Sequence, residues 1–226
     1  MDERVQVRNA NQCRVSRQLI RGLYAITPDC SDTADLVGRV RLALNGGASI
    51  LQYRNKSAGT ALRLEQATAL RGLASEFGIP FVVNDDASLA HQINADGVHL
   101  GAADDSVKTV RSILGDNKII GVSCYNRLFL AREAIAAGAD YLAFGAFFRS
   151  GTKPDAAKAD LDLLVRARAE FDAPLVAIGG INALNGAALV EAGADALAVI
   201  TDLFDAVDIQ SAAQDFSTLF IRNIAP

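Results

Sequence analysis

Tryptophan is absent and aromatic residues make up only 6% of the chain, so the core must be mostly aliphatic. Branched and short apolar side chains are what fill the layered interior of an α/β barrel. The three cysteines, Cys13, Cys30 and Cys124, show no metal-ligand spacing, and an odd count at such intervals reads as reduced thiols. His91 and His99 are the only histidines, nothing resembles a Ser-His-Asp triad, and no cysteine is paired with a base. Chemistry here must rest on ionic stabilisation and positioning. No apolar run approaches the ~20 residues needed to cross a bilayer. A net charge of −4 excludes a general nucleic-acid or membrane-surface role. The segment 1–21 carries Arg4, Arg8, Arg14, Arg17 and Arg21, but also Asp2 and Glu3, and lacks the apolar segment of a secretion signal. It reads as a solvated N-terminal extension or an added outer helix.

What is present is a regular alternation from Gly22 onward. Of the 226 residues half are apolar, enough for a large core. Strand-like runs at 22–27, 49–54, 80–85, 97–100, 119–123, 141–145, 175–179 and 196–200 are separated by helical segments, with turn residues between them. Eight strands alternating with helices imply parallel pairing and right-handed crossovers. The near-repeat Ala137-Gly-Ala-Asp-Tyr-Leu-Ala143 and Ala192-Gly-Ala-Asp-Ala-Leu-Ala198 fits one βα unit used again. Each copy puts Gly just past a helix end, where a left-handed residue is needed. The expectation is a (β/α)8 TIM barrel over 22–226 in one domain, with a doubly wound open sheet as the weaker option.

Polar clusters follow these runs, and in a barrel such ends converge on one face. Gln52, Arg54 and Lys56 alternate along an extended run, which predicts a shared face suited to an anion. Asn84-Asp85-Asp86 follows Phe81-Val82-Val83; Asp86 suits a helix cap, whereas Asp85, with Asp104 after the next strand, suits a hard cation such as Mg2+. Ser150-Gly151-Thr152-Lys153 lies in the longest connection, and Gly179-Gly180 and Ile200-Thr201 follow strands seven and eight, the usual phosphate pocket of the fold. Two anion sites are expected, one with metal and cations and one built largely from backbone amides. His91 is expected at the surface and His99 as a satisfied interior residue.

Taken together, Gln52-x-Arg54-x-Lys56, Val83-Asn84-Asp85, Ala95-Asp-Gly-Val-His-x-Gly101 with Asp104, Gly121-Val-Ser123, Ser150-x-Thr152-Lys153 and Ile178-Gly-Gly-Ile181 resemble the thiamine phosphate synthase family from about Leu23 to Leu203. That family joins a hydroxymethylpyrimidine diphosphate to a thiazole phosphate and releases pyrophosphate. The resemblance implies that Gln52, Tyr53, Arg54, Asn55, Lys56, Asn84, Ser123 and Lys153 contact the pyrimidine diphosphate. It implies that Asp85 and Asp104 hold Mg2+, and that Ser150, Gly151, Thr152, Gly180, Ile200 and Thr201 bind the thiazole phosphate. Arg54, Lys56, Ser123 and Lys153 are the catalytic candidates. It further implies a cytoplasmic transferase of small molecules that binds neither nucleic acid nor membrane; a homo-oligomeric state is compatible with the sequence.

Ala102-Ala103 stand where many members have Gln-Glu, Ala146 and Arg149 replace prolines of the long loop, and Ser150 and Thr201 exchange one hydroxyl residue for another. None of these removes a charge from the expected site. A related thiazole tautomerase relies on a histidine after strand five, where this chain has Tyr125 in Ser123-Cys124-Tyr125. A non-catalytic barrel that senses thiamine phosphate would have no need of a metal-assisted leaving-group site. Other phosphate-handling barrels need an acid–base pair in which Asp85 and Lys153 would have to serve, so a metal requirement separates them.

Overall fold

Eight parallel strands close into a barrel in chain order in the computed structural model, which describes residues 19–101, 104–148 and 159–221. The strands are β1 (Gly22–Ile26), β2 (Ala48–Tyr53), β3 (Phe81–Asn84), β4 (Gly97–Leu100), β5 (Ile119–Tyr125), β6 (Tyr141–Phe144), β7 (Leu175–Ile178) and β8 (Ala196–Val199). Between them run α1 (Thr33–Asn45), α2 (Thr60–Phe77), α3 (Ala87–Gln92), α4 (Val107–Leu114), α5 (Leu128–Ala137), α6 (Leu161–Glu170) and α7 (Gly186–Glu191). A short α8 (Thr201–Phe204) and a longer α9 (Ile209–Ile221) follow β8. The TIM barrel expected from the alternation is therefore the fold. Of the expected N-terminal extension, only residues 19–21 fall within the described residues.

The strands are apolar on both faces because both faces are covered. Leu23, Ala25, Leu51 and Tyr53 point outward and pack against helices. Tyr24, Ile26, Ile50, Val82, Tyr141, Val176 and Ala198 point inward and fill the barrel. Helices start where the sequence offers a capping oxygen. Asp32 accepts from Ala34 and Asp35 at α1, Asp86 from Leu89 at α3, and Ser106 from Thr109 at α4. Among the described residues no helix is long and apolar enough to cross a membrane.

One device recurs at the N-terminal ends of the strands. Asp96, Asp140 and Asp195 each precede an even-numbered strand and accept a backbone N–H of the strand before: Phe81 at 2.9 Å, Ile120 at 2.8 Å and Leu175 at 2.8 Å. Each also meets an arginine from a helix: Arg71 at 3.2 Å, Arg111 at 2.7 Å and Arg168 at 2.7 Å. The same arginines donate to nearby backbone carbonyls, such as Asn94, Gly138 and Ala173. Charge-assisted bonds of this kind tie neighbouring βα units together at the closed end of the barrel.

Candidate functional site

At the opposite end, the β2–α2 loop carries the cations. β2 stops at Tyr53, one residue short of the expected end, because the next backbone group pairs with a side chain instead of a strand. The Arg54 N–H donates to Thr27 Oγ1 at 2.8 Å, and the Thr27 hydroxyl donates to the Arg54 carbonyl, also at 2.8 Å. Strand alternation therefore does not aim Arg54 and Lys56. Asp29 does: its carboxylate receives the Arg54 guanidinium at 3.3 Å and the Lys56 backbone N–H at 2.9 Å. Beneath them Gln66, fully buried on α2, accepts from the Tyr53 hydroxyl and the Asn55 amide, both at 2.9 Å. Tyr53 and Asn55 thus shape the loop, while Arg54 and Lys56 project from it. Gln66 was legible only as a polar residue on the face of α2 that also buries Leu70 and Leu73.

Facing this loop, β3 delivers the carboxylates. Asp85 adopts a left-handed backbone (φ 63°), a conformation that costs an L-residue about 1–3 kcal/mol and points to a functional constraint. Its carboxyl group lies beside that of Asp104 and stands 4.0 Å from Lys56 Nζ. Burial pushes the Asp85 carboxyl up to about 6; the hydrogen bond and charge of Asp104 push the same way, and Lys56 pulls against them. Asp104 is fixed by accepting the Gly101 N–H at 2.6 Å. Two hard oxygen donors from neighbouring strand ends, close enough to raise the Asp85 carboxyl, suit Mg2+ completed by phosphate oxygens and water. No group of three or more His, Cys, Asp or Glu side chains that could hold a metal occurs among the described residues. A cleft of about 470 Å3 lies between the two loops, lined by Arg54, Lys56, Arg63, Asn84, Asp85 and Asp105. Asp86 caps α3, as expected, and stands 3.8 Å from Arg63.

Gln52 and Ser123 lie toward the barrel axis, at opposite ends of one hydrogen-bonded chain. Gln52 Nε2 donates to the Tyr24 hydroxyl at 2.8 Å, and the Tyr24 and Tyr141 hydroxyls are 2.8 Å apart. Tyr141 meets His99 Nδ1 at 2.8 Å, and His99 Nε2 meets Ser123 Oγ at 2.9 Å. Burial holds His99 down at about 4, against a weaker pull from Asp104, so the imidazole is neutral. His99 is the satisfied interior histidine that the sequence suggested, and His91 is exposed. Neither tyrosine stands out in the sequence, because residues 24 and 141 are brought together only by barrel closure.

On the far side, Gly179 and Gly180 both have positive φ (106° and 61°). A Cβ on Gly179 would lie 2.4 Å from that of Ala146, so the turn after β7 packs directly on the start of the long loop. The Asn185 side-chain amide holds the Gly180 carbonyl at 3.0 Å. Ile200 is the N-cap and Thr201 the first residue of α8, a four-residue helix too short to show a period in the sequence. Ser150, Gly151, Thr152 and Lys153 lie outside the described residues.

The model for thiamine monophosphate synthase matches residues 23–203. A thiamine-phosphate synthase of Azoarcus sp. is 52% identical over 89% of this chain and 98% of its own length. One from Thiobacillus denitrificans is 52% identical over 88% of this chain and 94% of its length. Among solved structures, the thiamine phosphate pyrophosphorylase from Pyrococcus furiosus superposes with a TM-score of 0.83 at 34% identity, covering 93% of this chain and all of that one. A 3-hexulose-6-phosphate synthase, at 17% identity and a TM-score of 0.66, shares the fold alone. With one family matched across nearly the whole barrel, and relatives more than half identical along almost their full length, the chain belongs to the thiamine monophosphate synthase family and is a transferase of that type.

Proposed function

We propose that this transferase couples 4-amino-2-methyl-5-hydroxymethylpyrimidine diphosphate to 4-methyl-5-(2-phosphoethyl)thiazole with release of pyrophosphate, or to its carboxylated form with release of pyrophosphate and carbon dioxide. The observation that carries this reading is the facing of Arg54 and Lys56 by Asp85 across one cleft, with Asp104 beside Asp85. That is the charge pattern a departing pyrophosphate requires. Arg54 and Lys56 would hold the diphosphate and stabilise it as the carbon–oxygen bond breaks and the electron pair leaves with pyrophosphate. The electron-rich aminopyrimidine takes up the positive charge left at the methylene. Held by its phosphate near Gly180, Ile200 and Thr201, the thiazole presents its nitrogen lone pair, which forms the new carbon–nitrogen bond. That nitrogen carries no proton to remove, so no general base is needed. Asp85 and Asp104 would hold Mg2+, whose chemistry when bound is neutralisation of phosphate charge. Sequence resemblance assigns Lys153 to the same task.

The test is a coupling assay with both substrates, following thiamine phosphate and pyrophosphate. Product should vanish with EDTA and return with Mg2+. Absence of product while both ligands still bind would favour the tautomerase or sensor reading. Tyr125 at the end of β5, in place of a histidine, supports the synthase over the tautomerase.

A further inference from the structure

We infer that Tyr24, Tyr141 and His99 form a polarised relay that couples Gln52 to Ser123, so that the barrel mouth presents one fixed acceptor and one fixed donor to a heteroaromatic ring. The direction follows from counting protons along the chain. Gln52 Nε2 donates to the Tyr24 oxygen, so Tyr24 turns its own proton toward Tyr141. Tyr141, having accepted, turns its proton toward His99 Nδ1. A neutral imidazole with an accepting Nδ1 carries its proton on Nε2 and donates to Ser123 Oγ. Ser123 then directs its hydroxyl proton away from the histidine, into the mouth. At the other end Gln52, with its nitrogen engaged by Tyr24, has its carbonyl oxygen left to accept. A heteroaromatic ring that carries both an amino group and a ring nitrogen, as an aminopyrimidine does, offers the donor and the acceptor to match.

The backbone is arranged to hold the relay. His99 pairs with Gly121 across β4 and β5, and Gly121 pairs with Tyr141 across β5 and β6. A Cβ on Gly121 would fall 1.9 Å from the Tyr141 ring, so only glycine there lets the ring cross the barrel. Tyr141 stacks on His99 with centroids 5.5 Å apart and meets Tyr24 edge-on at 6.1 Å. Buried hydroxyls strung in this way polarise one another and rigidify their ends. Tyr24, Tyr141 and His99 act through Gln52 and Ser123, and are positioning residues.

The assignment of the ring rests on the pyrimidine reading above; the relay itself does not, and the test keeps the two apart. With only two histidines in the chain, 15N NMR at neutral pH reads the His99 tautomer directly. The wild type should show a protonated Nε2 and a bare Nδ1. Tyr141→Phe, which keeps the ring, should release that tautomer. It should also raise KM for the pyrimidine diphosphate roughly 3- to 10-fold, the loss expected for one hydrogen bond, and leave KM for the thiazole phosphate unchanged. A wild-type Nδ1–H tautomer, or a Tyr141→Phe tautomer identical to wild type, overturns the relay whether or not the protein makes product. A shifted tautomer with equal changes in both KM values upholds the relay and overturns its role in ring selection.

Discussion

The two ends of this barrel use the same charged residue types to opposite effect. At the N-terminal end, each of three aspartates is closed by an arginine at 3.2 Å or less and by a backbone N–H. At the C-terminal end, Lys56 stands 4.0 Å from Asp85, Arg54 stands 3.3 Å from Asp29, and two carboxylates lean on one another. Charge that is locally neutralised stabilises a fold, whereas charge held in place but incompletely satisfied has binding energy left for a ligand. A closed pair and an open one differ in what their removal does. Substitutions at one end should cost folding free energy and spare turnover, and substitutions at the other should do the reverse.

The largest effect is expected at the open end. Arg54→Ala removes a guanidinium that would face the leaving group, and kcat/KM should fall roughly 100- to 1,000-fold. The Asp29 side chain is 43% exposed, so the ion pair lost with it is screened by solvent and Tm should move by only about 2–4 °C. Steady-state kinetics beside thermal melting would decide it; a variant that melts far lower but turns over normally would invert the comparison. Next comes the closed end. Arg111→Met keeps the aliphatic stem but leaves Asp140, whose side chain is 9% exposed, without its cation. Stability should drop by about 3 kcal/mol, or roughly 6–12 °C in Tm, with kcat of the folded enzyme unchanged. Denaturant titration measures this, and a loss below about 1 kcal/mol would show that the pair is no brace.

Much of this contrast could be read in the chain before folding, but not all. Strand and helix order was legible because buried parallel strands are continuous apolar runs between turn residues. The repeated Ala-Gly-Ala-Asp was visible at Asp140 and Asp195, yet their arginine partners lie 29 and 27 residues away and no local rule pairs them. Alternation along an extended run marks Arg54 and Lys56 in the sequence, but a different device aims them in the fold. Alternation ends with β2 at Tyr53, and Asp29, three residues past β1, is what holds the loop. The relay was hidden further still. Tyr24 and Tyr141 are 117 positions apart, and each looks like an ordinary apolar strand residue until the barrel closes around it.

The smallest effect is the one that isolates the open end most cleanly. The Asp85 carboxyl titrates near 6 in the fold against 3.8 for an unperturbed side chain. Between those values the native state binds more protons than the unfolded one, so stability falls as pH rises from about 4 to 6 and the full penalty persists above. With the side chain 36% exposed, solvent screening reduces that penalty to the order of 1 kcal/mol. Asp85→Asn removes it while keeping the shape, and asparagine tolerates the left-handed backbone at this position. In EDTA at pH 8 the variant should therefore melt about 2–4 °C above wild type, and the gap should close by pH 4. Adding Mg2+ with pyrophosphate should reverse the order, because only the wild type has both carboxylates to offer a cation. A variant no more stable than wild type at pH 8 would mean that Asp85 carries no electrostatic burden, and the contrast between the two ends would then rest on their cations alone.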